Sequence, residues 1–302
     1  MDQPQGVAEW FDTHRGQLRG LAYRMLGSLP DAEDAVQDTW LRASAAAAET
    51  IENPGAWLKT ILARVCLNVL RSRGSHRHEP LGTRLPDPIV THAETGDPEE
   101  EALLAESVGL ALLVVIQTLS PAERLAFLLH DVFDLPFDEI ASIIDRSPAA
   151  ARQLASRARR RVQGAPVVPD TDLVQQRRVV DAFFAAARGG DLETLVTVLD
   201  PDVVLRADLG PSAASRVVRG LSEALPYARP PSGAVEVLPA VVNGTAGAVI
   251  LRDDRVFSVM AFTVRGGRIV EIDALGDPDR LRELGLDAVR RPVRGSPTSE
   301  DG

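Results

Sequence analysis

The sequence predicts a multidomain chain: two all-α domains followed by an α+β domain built on a curved antiparallel sheet. Three observations lead there. Apolar residues recur with helical spacing through roughly the first 165 positions, segments of alternating polarity appear after Thr171, and stretches rich in proline, glycine and charge punctuate the chain. The punctuated stretches cover residues 79–101, 164–172 and the C-terminal tail.

The first helical domain is expected over residues 7–79. Its clearest element is NPGAWLKTILARVCLNVLRSRG, where Leu58, Ile61, Leu62, Val65 and Val69 share one face, Asn53 is placed to cap and Pro54 takes the first helical position. A linker is expected over 80–101, and a second helical domain over 102–165. In the third domain, 172–290, two helices near 173–188 and 192–199 precede the alternating segments DVVLRAD, VEVLPAVV, AGAVILR, RVFSVMAFTV and RIVEIDAL. The last four are joined by NGT, DD and GG, the chemistry of tight hairpin turns. Residues 291–302 read as a flexible tail.

The composition excludes several classes. With 302 residues, 45% hydrophobic and 25% charged, the chain is globular rather than natively unfolded. The longest apolar run, VGLALLVVI, is about half of the ~18 residues a membrane span requires, and the first ten residues lack the basic start and apolar stretch of a secretion signal. A cytoplasmic location with no membrane partner is expected. The single cysteine, Cys66, leaves no internal disulfide or CxxC metal site and reads as a helix residue in an apolar setting. His14, His76, His78, His92 and His130 lack ligand spacing, so no metal or other cofactor is expected.

Against a net charge of -10, residues 146–160 (RSPAAARQLASRARR) carry five arginines and no acid. Phe137, Ile140, Ala141 and Ile144 mark one helix face, Ser147 and Pro148 a new helix start, and Ala151, Leu154, Ala155, Ala158 and Val162 a second face. Two short helices with a tight turn make a helix-turn-helix. Its second helix turns Arg152, Gln153, Ser156, Arg157 and Arg160 outward, a donor-rich face suited to a DNA major groove. The bland alternative is a solvated basic face on an ordinary helical hairpin.

At this point the chain resembles the bacterial extracytoplasmic-function (ECF) sigma factors, the promoter-reading subunits of RNA polymerase. LPDAEDAVQDTWLRA resembles sigma region 2.2, NPGAWLKTILARVCLNVLRSRGSHR resembles regions 2.3 and 2.4, and the stretch from LSPAERL to SRARRRV resembles region 4. The resemblance implies that Asp31, Glu33, Asp34, Val36, Gln37, Asp38 and Trp40 meet the polymerase β′ clamp, and that region 4 contributes to binding through the β flap. Crowded acids at a helix start also complement the helix macrodipole without any partner. It further implies that Lys59, Arg64, Asn68, Arg71 and Arg73 engage the minus 10 element, where bases are unstacked and the single strand is held by cations. For the minus 35 element it implies Arg152, Gln153, Ser156 and Arg157, with Arg159 and Arg160 on phosphates. The acid-rich stretch 94–106 would repel random DNA until polymerase presents the basic helices.

The third domain resembles the SnoaL-like, ketosteroid-isomerase-related fold, a cone closed by a curved sheet. A sigma factor carrying it is similar to the sigma-J-like subgroup, whose Trp-Leu-Pro-Glu-Pro, Asp-Gly-Gly-Gly and Asn-Pro-Asp-Lys-Leu motifs correspond here to Arg84-Leu85-Pro86-Asp87-Pro88, Ala207-Asp208-Leu209-Gly210 and Asp277-Pro278-Asp279-Arg280-Leu281. The resemblance implies a monomer whose terminal domain regulates the sigma regions in cis, through Arg84, Leu85, Pro86, Asp87, Pro88, Asp208, Asp277, Pro278 and Asp279. A small ligand in the cone is a further possibility. Two rival readings are a ketosteroid-isomerase-like enzyme, with Asp208 or Asp273 as general base, fused to a DNA-binding module, and a polymerase-independent, ligand-sensing DNA-binding regulator. The first-ranked reading is not an enzyme.

Overall fold

The computed structural model describes residues 5–46, 51–74, 84–91, 109–164, 169–211, 213, 215–228 and 234–286. The acid-rich stretch 94–106, His76, His78, His92, the 291–302 tail and the side chain of Arg73 lie outside the described residues.

The first domain is a bundle of α1 (Gln5–Leu26), α2 (Leu29–Ser44) and α3 (Pro54–Gly74). Asn53 caps α3 by accepting the Ala56 amide at 3.1 Å, and Leu58, Leu62 and Cys66 are sealed in its core. The second domain comprises α4 (Leu110–Thr118), α5 (Pro121–Phe127), a π-helical turn (Leu128–Val132), α6 (Phe137–Ile144) and α7 (Pro148–Gln163). A capping box starts α5: Ser120 Oγ accepts the Glu123 amide at 3.4 Å and the Glu123 carboxylate accepts the Ser120 amide at 3.1 Å.

In the third domain α8 (Leu173–Gly189) and α9 (Leu192–Val198) lie against the sheet, with α10 (Leu221–Ala224) at its side and α11 (Pro278–Glu283) near the end of the chain. The strands are β1 (Val90–Thr91), β2 (Leu199–Asp208), β3 (Arg216–Arg219), β4 (Val235–Val242), β5 (Thr245–Arg252), β6 (Arg255–Arg265) and β7 (Arg268–Leu275). Their order across the sheet is β1-β4-β5-β6-β7-β2-β3. The three expected hairpins form through Asn243-Gly244, Asp253-Asp254 and Gly266-Gly267, all with positive φ, as primed turns require.

Four features differ from expectation. The sheet is not wholly antiparallel, because β2 pairs parallel with β7, the two being separated in the chain by β3, α10 and the β4–β6 meander. Strand β3 escaped notice because four residues, Arg216 to Arg219, are too few to show alternation against two flanking arginines. Part of the supposed linker is core: Leu85 and Ile89 are buried, and Val90 and Thr91 add β1 to the outer edge of β4. The third domain is also anchored before residue 172, where Asp170 accepts the Gly266 and Gly267 amides at 3.1 and 3.2 Å.

On one face of the sheet, Phe183, Phe184 and Phe262 pack with centroids 5.3 to 5.5 Å apart in edge-on geometry. On the other face, Val259, Ala261 and Leu275 join the apolar cluster that continues into both helical domains.

Candidate functional site

Helices α6 and α7 meet at a turn set by three residues. Asp145 closes α6 in the left-handed region at φ 57°, Arg146 crosses the turn, and Ser147 Oγ accepts the Ala150 amide at 3.2 Å with Pro148 following. Ala151, Ala155 and Ala158 are fully buried, so α7 can lie close on α5. The opposite side carries Arg152, Gln153, Arg157 and Arg160, all exposed, with Ser156 half-buried. Each guanidinium offers five donors in a fixed fork, matched to phosphate or to the O6 and N7 of guanine. Arg159 differs: it is half-buried and ion-paired to Asp131 in the π-helical turn.

A groove of about 540 Å³ runs between α1 and α2. Val36 and the Phe11–Trp40 pair, with centroids 5.1 Å apart, line it together with Asp12, Arg15, Glu33 and Gln37. Arg15 and Arg19 approach Glu33 at 3.9 and 3.6 Å, and Asp38 meets Arg42 at 3.5 Å, exposed pairs of little energetic weight. Asp34, Gln37 and Asp38 face solvent, and Asp31 sits in the first turn of α2. Val36 is 3% exposed and shares the packed side of α2 with Ala32, Ala35 and Thr39 while also lining the groove.

Along α3, Arg64, Asn68 and Arg71 are exposed at the spacing of one helix face. Lys59 departs from this stripe. At about 100° per residue it falls about 140° around the helix from Arg64, and its Nζ lies 5.4 Å over the ring of Phe133 in the second domain.

The segment 84–91 lies between the first and third domains. Arg280, on α11, reaches it with its whole fork: Nε donates to Asp87 Oδ1 at 3.0 Å, joined there by Nη2, while Nη2 also donates to the Leu85 carbonyl at 2.8 Å. Nη1 donates to Asp208 Oδ2 at 2.6 Å, which also accepts the Leu85 amide at 2.9 Å. Asp87 Oδ2 accepts the Leu29 amide at 2.9 Å, and the Tyr23 hydroxyl donates to the Asp87 carbonyl. Asn243 completes the set, donating to the Tyr23 oxygen at 3.0 Å and accepting the Ile89 amide at 3.0 Å. Burial holds the Tyr23 phenol well above its ordinary pKa, so it stays a donor.

The comparison with known proteins decides what these surfaces belong to. The chain is 38% identical over 289 residues to the ECF RNA polymerase sigma factor SigJ of Mycobacterium tuberculosis, covering 90% of this chain and 92% of that protein. The chain belongs to the ECF sigma factor family. Sigma-70 region 2 matches residues 10–76 and Sigma-70, region 4 matches residues 109–162. A probable ECF sigma factor, SigI of the same species, is 33% identical over 94% of this chain and 98% of its own length. The crystal structure of SigJ superposes with a TM-score of 0.70 at 35% identity, covering 91% of this chain and 98% of that one. This sigma factor therefore directs promoter-specific initiation of transcription, and the match to SigJ extends over its third domain.

Within the sigma factor, the structure brings together Leu85, Pro86, Asp87, Pro88 and Asp208, all buried, and leaves Arg84 exposed. Asp277 acts locally, capping α11 by accepting the Asp279 amide at 3.0 Å. Pro278 and Asp279 are exposed, and Asp279 pairs with Arg282 on its own helix. The residues that do the joining, Arg280, Tyr23 and Asn243, were not singled out from the sequence. A lone arginine in the terminal motif, facing two acids in the other motifs, was the available signal for the first. No sequence pattern marks Tyr23 or Asn243. Gly210 keeps the loop geometry despite the replaced glycines: it holds φ 77°, and a Cβ there would lie 2.7 Å from Asp277 Cγ.

The carboxylates considered as general bases are both engaged. Asp208 is held by Arg280, and Asp273 by Arg206 at 3.0 Å, which also pairs with Glu271. Burial, only partly offset by Arg206, pushes the Asp273 carboxyl above its ordinary pKa. Among the described residues no group of His, Cys, Asp and Glu could hold a metal ion, and no helix is long and apolar enough to cross a membrane.

Proposed function

We propose that this sigma factor docks on the polymerase β′ clamp through the α1–α2 groove and the exposed Asp34, Gln37 and Asp38 beside it, with Trp40 and Glu33 in the groove. The second domain joins the β flap. Arg64, Asn68 and Arg71, with Arg73 and Lys59, hold the opened minus 10 strand, while Arg152, Gln153, Ser156 and Arg157 read the minus 35 element and Arg159 and Arg160 grip phosphate. One observation carries this reading: a single chain combines an acid-flanked apolar groove with an acid-free, exposed arginine stripe on a capped recognition helix.

The SnoaL-like domain acts in cis. Arg280 and Asn243 bind the 84–91 segment to the third domain while Tyr23 and the Leu29 amide bind it to the first, so the third domain sets how the two DNA-reading halves are held. The ring cluster of Phe183, Phe184 and Phe262 favours a packing role over ligand capture, and the engagement of Asp208 and Asp273 in ion pairs argues against chemistry. The protein works in the cytoplasm, where its polymerase is, and is monomeric when free.

The test is binding of the full-length protein to purified bacterial core RNA polymerase. We expect tight binding that is weakened at least tenfold in an Asp34→Ala, Asp38→Ala variant; equal binding of the variant refutes the assignment of this face. Removal of residues 165–302 is expected to change promoter output, and an unchanged output refutes regulation in cis.

A further inference from the structure

Three of the cations assigned to promoter DNA are occupied by one short segment of the second domain, 130–137. Phe133 lies under Lys59 Nζ of α3 at 5.4 Å and under the Arg24 guanidinium of α1 at 5.6 Å. Asp131 is ion-paired to Arg159 of the recognition helix and also meets His130 Nδ1 at 3.3 Å. Phe137, stacked on His130 at 4.0 Å, lies under the Arg152 guanidinium at 5.6 Å.

The backbone aims these groups. Residues 128–132 form a π-helical turn, whose extra residue per turn re-aims the side chains that follow, and Asp134 then takes φ 53°. Phe133 is thereby delivered to the first domain while Asp131 stays toward α7. Such irregular turns are costly and cluster at functional positions.

We propose that the 130–137 segment is an intramolecular guard that occupies Lys59, Arg152 and Arg159 with two aromatic faces and a carboxylate, and so withholds them from DNA while the protein is free. Ring faces and a carboxylate are the groups a nucleic acid itself presents to such cations, as stacked bases and phosphate. Separation of the first and second domains on the polymerase releases Lys59 from Phe133, whereas Arg152 and Arg159, held inside the second domain, are given up when promoter DNA competes for them. This rests on the reading of α3 and α7 as DNA-contacting helices.

The experiment measures binding of the polymerase-free, full-length protein to duplex and single-stranded DNA across a salt series. In Asp131→Asn, which preserves side-chain shape, release of Arg159 is expected to tighten binding about two- to fivefold and steepen the log K against log salt slope by about 0.9. Adding Phe133→Ala is expected to steepen it by a further 0.7 or so on single-stranded DNA. An unchanged slope in Asp131→Asn overturns the proposal, as does weaker binding in a variant whose melting temperature matches the parent. Core-polymerase binding, measured on the same samples, separates the two readings: its absence refutes the docking assignment, while the DNA slopes alone decide the guard.

Discussion

Replacing Arg280 with Met tests whether the interdomain clasp holds the linker. The guanidinium is 7% exposed and serves Asp87, Asp208 and the Leu85 carbonyl. All four carboxylate oxygens are satisfied in the parent protein: Asp87 Oδ2 by the Leu29 amide, Asp208 Oδ1 by the Gly210 amide and Ser215, and the other two by Arg280. Methionine fills similar volume but leaves two buried carboxylates with no cation, a change that costs about 3–5 kcal/mol. The cost is charged to the docked state, so the population with residues 84–91 released rises on the order of 10²–10⁴-fold. Trypsin reads this directly. Arg84 is exposed, but the residues after it are buried, so cleavage there tracks the released population when opening is fast. Arg280→Lys keeps the charge but not the fork and should fall between the two. Adding Asp87→Asn and Asp208→Asn to Arg280→Met should recover part of the loss. A change in cleavage of less than tenfold in Arg280→Met would refute the argument that this residue holds the interface.

Three further outcomes are expected. Arg157→Ala should cost about 1–3 kcal/mol in promoter binding by the polymerase-bound protein and relax one position of the minus 35 element, whereas a uniform loss over all promoter variants would make it a phosphate contact. Asp273 has a raised carboxyl pKa in the folded protein, so its contribution to stability is complete below about 3.9, the unfolded value, and declines as pH rises through the folded one. Chemical denaturation from pH 4 to 7 should therefore show parent stability falling relative to Asp273→Asn; a parallel pair of curves would contradict the burial argument. Gly210→Ala should lose about 1–2 kcal/mol from its left-handed backbone alone and more from displacing Asp277, read as a lower melting temperature.

The helical halves and hairpins were legible because their signals are local. Asn53 before Pro54, Ser147 before Pro148, and the NG, DD and GG turns each state a conformation within a few residues. The arginine stripe of α7 was equally plain, since alanines at helical spacing define its buried side and leave the rest to solvent. Family resemblance supplied what periodicity did not, the pairing of the two sigma regions and the three motifs that meet at the linker.

Pairings between distant positions were not legible. Whether Lys59 faces DNA or Phe133, and whether Arg159 is free or held by Asp131, depends on how one helical domain lies on another and how a π-helical turn offsets the chain. The linker shows the same division. Proline, glycine and charge across 79–101 mark that stretch as a linker, but they say nothing of the burial of its described part, 84–91. Residues 85–89 are buried because Tyr23, Asp208, Asn243 and Arg280, scattered from residue 23 to residue 280, converge to satisfy the backbone and the one acid there. The sequence by itself determined the long helices and the hairpin strands, the caps, the turns and the family. Only the tertiary structure decided which charges are spent inside the molecule and which remain for its partners, because a charge can be buried only where the fold brings its counter-charge and donors to meet it.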